Sequence, residues 1–259
     1  MSRIEYREEE GIGYITLNRP DVLNALTDDM IKELKEAFFQ LDDDPNAMVG
    51  ILSGNGRAFC SGADVKQRQL RPVEEMLRIG SPQGRDSHLD TVLYRFTNWK
   101  PIIAAVHGYV MGAGLYLSML SELIVAEKGT KFQITETGRG WSASNFVALL
   151  QQRAPGGFSN DVMLTGRFWD AEEGYRWNAV DRLAEPGKRL EVARDVALNQ
   201  IMINPPLATR AIVEARRGVL EEIELKARLM QNKRLHLTED FRESAIAFVE
   251  KRKPVFKGK

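Results

Sequence analysis

Hydrophobic and polar positions change period several times along the chain. Alternation predicts strands at Ile4 to Glu8 and Gly13 to Leu17, whereas the apolar spacing from Thr27 to Leu41 is that of an amphipathic helix with Thr27 or Asp28 at its N-cap. Met48 to Leu52 is a continuous apolar run, as expected of a buried strand. Val65 to Asp86 mixes Gln, Arg, Pro and Gly with weak periodicity and is expected to be partly helical and mobile, as substrate-gating segments are. A helix is expected over Ser87 to Trp99, then a buried strand at Ile102 to Val106, a turn from Gly108 to Gly114 and an apolar helix from Leu115 to Leu120. Leu123 to Ala126 is expected to be a short strand. Helices are expected at Asn145 to Gln151, Ser159 to Leu164 and Ala171 to Trp177. Beyond Ala179 to Leu183 the pattern is almost wholly helical, with helices over Pro206 to Arg216 and Leu220 to Leu235 and a last one from near Thr238-Glu239 that ends before Pro254. The apolar positions Ile212, Val219, Ile223, Leu225 and Leu229 have no evident cover within so short a tail, which points to an oligomer interface.

Two segments bring apolar runs to an end in small residues. They are RAFCSGADVK, Arg57 to Lys66, and PIIAAVHGYVMGAG, Pro101 to Gly114. Small residues let backbone N–H groups approach a ligand without a side chain in the way. A helix opening at Gly112-Ala113-Gly114 would present unpaired N–H groups and the positive end of its dipole, which is what a thioester carbonyl gaining negative charge requires. Taken alone, the same glycines fit tight helix–strand packing better than a ligand site.

NRPDVLNAL (Asn18 to Leu26), GRAFCSGAD (Gly56 to Asp64), KPIIAAVHGYVMGAG (Lys100 to Gly114), FQITETGRG (Phe132 to Gly140) and FVEKRKPVF (Phe248 to Phe256) follow one another in an order and spacing that resembles the enoyl-CoA hydratase/isomerase family, the crotonases. The resemblance spans nearly the whole chain. It implies an α/β fold, a crotonase-like spiral of β-β-α units over residues 1–195 that holds the acyl-CoA site, and a C-terminal helical oligomerisation region over 196–259. It also implies a homotrimer, commonly doubled to a hexamer. Carried over onto matching positions, it makes Ala63 and Ala113 the two oxyanion N–H donors. It places Asn24, Ala25, Leu26, Asp64, Val65, Lys66 and Gly112 along the coenzyme A and thioester path. For Lys66 the alternatives are a partner for coenzyme phosphates or a solvated surface lysine, and Asp64 is also suited to capping the helix that follows. Coenzyme A enters as part of the substrate, so no separate cofactor is expected.

Hydratases of this family carry two glutamates that hold one water. The second matches Glu136, whose pKa an apolar surrounding would raise towards neutrality; the first falls at Tyr116, which cannot act as a carboxylate base. A single base suits moving a double bond from the β,γ to the α,β position, so enoyl-CoA isomerisation ranks first. The alternatives are hydratase or hydratase-lyase chemistry on an unusual, aromatic acyl group, and an inactive acyl-CoA-binding or assembly protein. Trp141 either reshapes the acyl pocket or packs in the core or at a subunit contact. Ser142 and Ser144 have no histidine nearby in sequence to activate them, and His107 reads as structural. His88 and His236 lack metal-like spacing, so no metal site is expected.

Composition narrows the partners. Among 259 residues, 36 Lys and Arg balance 36 Asp and Glu, which gives nothing to draw the chain to nucleic acid or an anionic membrane. The charges from Arg210 to Arg234 are mixed in sign and read as a solvated face. The single cysteine, Cys60, leaves no intramolecular disulfide, and no basic and apolar leader precedes the first strand, so a reducing cytoplasm is the expected location. No apolar run reaches the roughly 18 residues of a membrane-spanning helix.

Overall fold

Strict two-residue alternation gives the large sheet a core on each face. In strand β4 (Ile102–Val106), Ile102, Ala104 and Val106 join one apolar cluster while Ile103 and Ala105 join the other. The computed structural model describes residues 2–79, 98–230 and 234–259. Its strands are β1 (Ile4–Glu9), β2 (Ile12–Leu17), β3 (Val49–Gly54), β4, β5 (Tyr109–Met111), β6 (Leu123–Glu127), β7 (Lys131–Gln133), β8 (Trp169–Asp170) and β9 (Arg182–Ala184). The helices are α1 (Asp28–Asp43), α2 (Val65–Arg68), α3 (Val73–Ile79), α4 (Ala113–Leu120), α5 (Ser144–Arg153), α6 (Gly156–Thr165), α7 (Ala171–Arg176), α8 (Arg189–Val196), α9 (Pro206–Met230) and α10 (Glu239–Val249).

The large sheet runs β1-β2-β3-β4-β6-β9 and is parallel except for the β1–β2 hairpin. A smaller sheet, β5-β7-β8, lies beside it. Successive turns of the chain place one strand in each layer, β4 then β5 and β6 then β7, which makes the architecture an α/β spiral of β-β-α units. Isolated bridges between Cys60 and Val110 and between Leu26 and Ala63 carry the smaller layer back into the preceding turn. Ala63 and Ala113 therefore occupy adjacent turns at the same level of the spiral.

Several sequence expectations change. Gly108 to Gly114 is not a simple turn: Gly108, at φ +61°, makes the bend alone, so Tyr109–Met111 pairs with β7 and α4 starts at Ala113, two residues early. The two helices expected between Pro206 and Leu235 are one, Pro206–Met230, with Gly218 in its interior. Tertiary contacts outweigh the glycine's propensity cost of about 1 kcal/mol. Nor is this helix a solvated face throughout. Arg217 is buried and paired bidentately with Glu122, Arg216 donates to the carbonyls of Met119 and Leu120 at the C-terminal end of α4, and Glu224 is buried. Ile212 and Val219 do remain exposed. Within the segment expected to be mobile, α2 and α3 are helical; its residues 80–86, most of the helix expected over Ser87 to Trp99, and His88 lie outside the described residues. Among the described residues no helix is long and apolar enough to cross a membrane, and no three His, Cys, Asp or Glu side chains gather as metal ligands.

Lys100 shows how tightly the sheet is joined to α1. It is 1% exposed, and its Nζ donates to the carbonyls of Leu41 at 2.7 Å and Asp44 at 2.6 Å, at the end of the helix where acceptors lack partners. Lys100→Met keeps the apolar stem and removes the charged donor, so it should destabilise the protein by about 2–3 kcal/mol in chemical denaturation. A loss under 0.5 kcal/mol would show that this link is dispensable.

Candidate active site

A cavity of about 680 Å³ opens between the Leu23–Leu26 and Ser61–Gln69 segments on one side and α4, the Thr135–Asn145 stretch and α10 on the other. Ala63 and Ala113 both line it. Among the described residues neither amide donates to a backbone carbonyl: Ala113 is the first residue of a helix, and the bridge to Leu26 uses Gly62 O and Asp64 N instead. The two loops meet without side chains between them. A Cβ on Gly62 would lie 3.0 Å from Met111 O and 3.6 Å from Ala113 N, and one on Gly114 would collide with Cys60 at 2.6–2.8 Å.

Asn24 is a correction to the expected coenzyme contacts. It sits in the left-handed region at φ 54° and is fully buried; its amide NH₂ donates to the carbonyls of Asn55, Ala58 and Phe59, and its Oδ1 accepts from the Arg19 amide. With no exposed surface and no place on the cavity wall, Asn24 braces the loop that carries Ala63. Ala25, Leu26, Val65 and Lys66 do line the cavity, with Lys66 exposed at its mouth. Asp64 lines it too but is committed, accepting from Gln67 N as the N-cap of α2 and pairing with Arg19 at 2.8 Å. Burial alone would raise its pKa, but these bonds outweigh it and hold the carboxyl below its usual range. Gly112 has no side chain to offer the wall; at φ 48° it passes beneath Glu136, where a Cβ would sit 3.2 Å from Oε1.

Glu136 faces the same space. Its carboxyl rests against Thr135 Oγ1 at 3.4 Å, and burial pushes its pKa up to about 7, against weaker lowering by hydrogen bonds from its own and the Thr135 backbone and by the charge of Arg139. At neutral pH such a group can both take and return a proton. Tyr116 lines the cavity beside Phe146, their rings 5.9 Å apart edge to face, but its phenol donates to Glu224 Oε1 of α9 at 2.9 Å. No local pattern points to Glu224 as the partner, because 108 residues separate the two.

These observations supply the elements of oxyanion-assisted proton transfer: two unpaired amides, a carboxyl with a near-neutral pKa and an apolar wall. The enoyl-CoA hydratase/isomerase family pattern matches residues 7–259. The chain belongs to that family. It is 33% identical over 257 residues to (E)-benzylidenesuccinyl-CoA hydratase of Thauera aromatica, covering 95% of this chain and 96% of the relative. It is 32% identical over 255 residues to carnitinyl-CoA dehydratase of Proteus mirabilis, covering 95% and 94%. In fold it is similar to the solved carnitinyl-CoA dehydratase of Mycobacterium avium, with a TM-score of 0.80 at 25% identity over the whole of both chains.

Cys60, His107 and Ser142 in this crotonase are each bonded to nearby backbone. Burial pushes the Cys60 thiol up to about 12, so it stays protonated and lies 3.2 Å from the Asn24 carbonyl as a donor. His107 Nε2 lies 2.7 Å from Gly56 O, and burial keeps the imidazole neutral at physiological pH. Ser142 Oγ accepts from Ser144 N. Trp141 is part of the cavity wall, packed on Phe241 and His236 with ring centroids 5.4 and 5.7 Å away. Gly140 lets α10 approach, since a Cβ there would lie 3.0 Å from Phe241 Cα. Residues 196–259 thus contribute Phe241 and Phe248 to the site. Their aromatic character was visible in the sequence; their position was not.

Contact between the loops is open to a direct test. Gly114→Ala inserts a methyl group against the Cys60 backbone and should cost roughly 1–3 kcal/mol of stability, as overpacking does, with a parallel loss of activity. Unchanged urea midpoint and turnover would show that the loops have room to part.

Proposed function

We propose that this enzyme holds the thioester oxygen of an acyl-CoA between the Ala63 and Ala113 amides and moves protons with Glu136, and that its principal reaction is the isomerisation of a 3-enoyl thioester to the 2-enoyl form. Glu136 takes a proton from the α carbon, the electron pair is delocalised into a dienolate whose oxygen rests on the two amides, and the same carboxylic acid returns the proton to the γ carbon. The observation that carries this reading is that, of the two carboxylates lining the described cavity, Asp64 is ion-paired with Arg19, whereas Glu136 makes no ion pair among the described residues. Coenzyme A would follow Ala25, Leu26, Val65 and Lys66, with no separate cofactor. A trimer or hexamer, built partly on the exposed Ile212 and Val219 of α9, fits the same reading.

Hydration of a 2-enoyl thioester is the second reading. It is favoured by the names of the relatives, one of which is named for a benzylidenesuccinyl thioester, and by Tyr116, which places a phenol hydroxyl, bonded to Glu224, on the cavity wall. Purified protein assayed with matched 3-enoyl and 2-enoyl thioesters separates the two, because isomerisation consumes the first and hydration the second. Turnover of the 2-enoyl substrate alone would reverse the ranking, and turnover of neither would leave a binding protein.

Whichever dominates, kcat/KM should rise with pH about a midpoint near 7, since the base must be deprotonated. Glu136→Gln should lower turnover by roughly 10²–10⁴-fold. The raised pKa also has a sign in stability: folding favours the protonated form, so this contribution is complete below the unfolded pKa and is lost as pH rises through 7. Glu136→Gln should therefore gain in melting temperature over wild type as pH goes from 5 to 8; a pH-independent difference would contradict the shift.

The oxyanion donor is tested by Ala113→Pro, which removes one N–H at a helix position that tolerates proline. The barrier should rise by about 3–4 kcal/mol relative to Ala113→Gly, which keeps the donor. A folded proline variant as active as the glycine one would remove Ala113 from the mechanism.

A further inference from the structure

The enolate chemistry leaves one cation of the described cavity wall unexplained. Arg19 is neutralised by Asp64 at 2.8 Å, and Arg68 lies 3.4 Å from Asp28. Arg139 has no such partner. Its guanidinium carbon stands 3.7 Å from the ring centroid of Phe248, on a wall that also includes Trp141 and Phe241, and among the described residues it makes neither an ion pair nor a side-chain hydrogen bond. Glu136 acts on Arg139 through space but lies beyond ion-pair distance. A ring face satisfies the charge in part but accepts none of the five N–H bonds.

Guanidinium groups are costly to hold in a half-buried aromatic pocket without an acceptor, and the group that best satisfies their paired donors is a carboxylate. Arg139 follows Glu136 by three residues, across the single 3₁₀ turn Thr137–Arg139, so both side chains serve one cavity. We propose that Arg139 is an anion subsite for the acyl group, and that the substrate is an acyl-CoA whose chain carries a second carboxylate beyond the reacting carbons. The inference rests on the acyl-CoA reading of the cavity. It gives Phe248 a role, since its ring covers one side of the guanidinium and leaves the N–H donors to the ligand.

Binding rather than turnover gives the cleanest test, because a saturated acyl chain binds without reacting. Titration calorimetry would compare an acyl-CoA ending in a carboxylate, the methyl-terminated acyl-CoA of equal chain length, and free coenzyme A, on wild type, Arg139→Gln and Arg139→Lys. Wild type should bind the carboxylate-bearing thioester at least about 10-fold more tightly than the methyl one. Arg139→Gln should reduce that ratio by roughly 10–100-fold, and Arg139→Lys, which keeps the charge but not the fork, should retain part of it. A wild-type ratio near one overturns the proposal without any variant. So does a ratio that Arg139→Gln leaves intact, and an equal loss for all three ligands would assign Arg139 to a coenzyme phosphate instead. Failure of all three ligands to bind wild type would remove the acyl-CoA reading itself, which separates that failure from one confined to Arg139.

Discussion

Everything at this site depends on two stretches of backbone lying closer than side chains would permit. The Gly56–Asp64 loop and the Gly108–Gly114 segment touch at three glycines, where Cβ atoms would come within 2.1 Å of Arg57 O, 3.0 Å of Met111 O and 2.6 Å of Cys60. Val110 then bridges to Cys60, and Ala63 to Leu26, so adjacent turns of the spiral are tied by hydrogen bonds at the level where the two free amides lie. Asn24 restrains the loop further, its buried side-chain amide donating to the carbonyls of Asn55, Ala58 and Phe59. Two amides held this way are oriented by the fold itself, with no charged side chain needed to position them.

Electrostatics at the carboxyl follows from that geometry. Glu136 lies over Gly112, next to the helix start at Ala113, in space walled by apolar side chains. Burial brings its pKa near neutrality, while Asp64 is held ionised by Arg19 despite lining the same cavity. The two carboxyls differ in environment more than in chemistry. Tyr116, on the same cavity wall, is tied by its phenol to the buried carboxyl of Glu224 on α9.

Helix α9 joins the catalytic layer to the C-terminal region. Arg216 and Arg217 meet Glu122 and the last carbonyls of α4, which anchors the opposite end of the helix that begins with Ala113. Beyond it α10 folds back over Gly140 and closes the cavity with Phe241 and Phe248. The C-terminal helices therefore shape the substrate space as well as offering an exposed apolar face.

Local chemistry in the chain determined the strands of the large sheet, the N-caps at Thr27, Asp64 and Thr238, and the small-residue segments around Ala63 and Ala113, because period, capping groups and missing side chains act over a few residues. Glu136 was singled out by its place in a family-like motif, and its apolar neighbours pointed to the raised pKa. Tertiary structure alone decided which polar residues are spent. Asn24 reads in sequence as a loop residue open to a ligand and proves to be buried and bonded to backbone; Arg217 reads as a surface charge and proves to be buried. The partnership of Tyr116 with Glu224 and the meeting of Arg139 with Phe248 join positions 108 and 109 residues apart, and no local pattern specifies a contact of that range. Such pairings are set by how the last two helices pack onto the spiral, through the summed burial of side chains that singly carry no address.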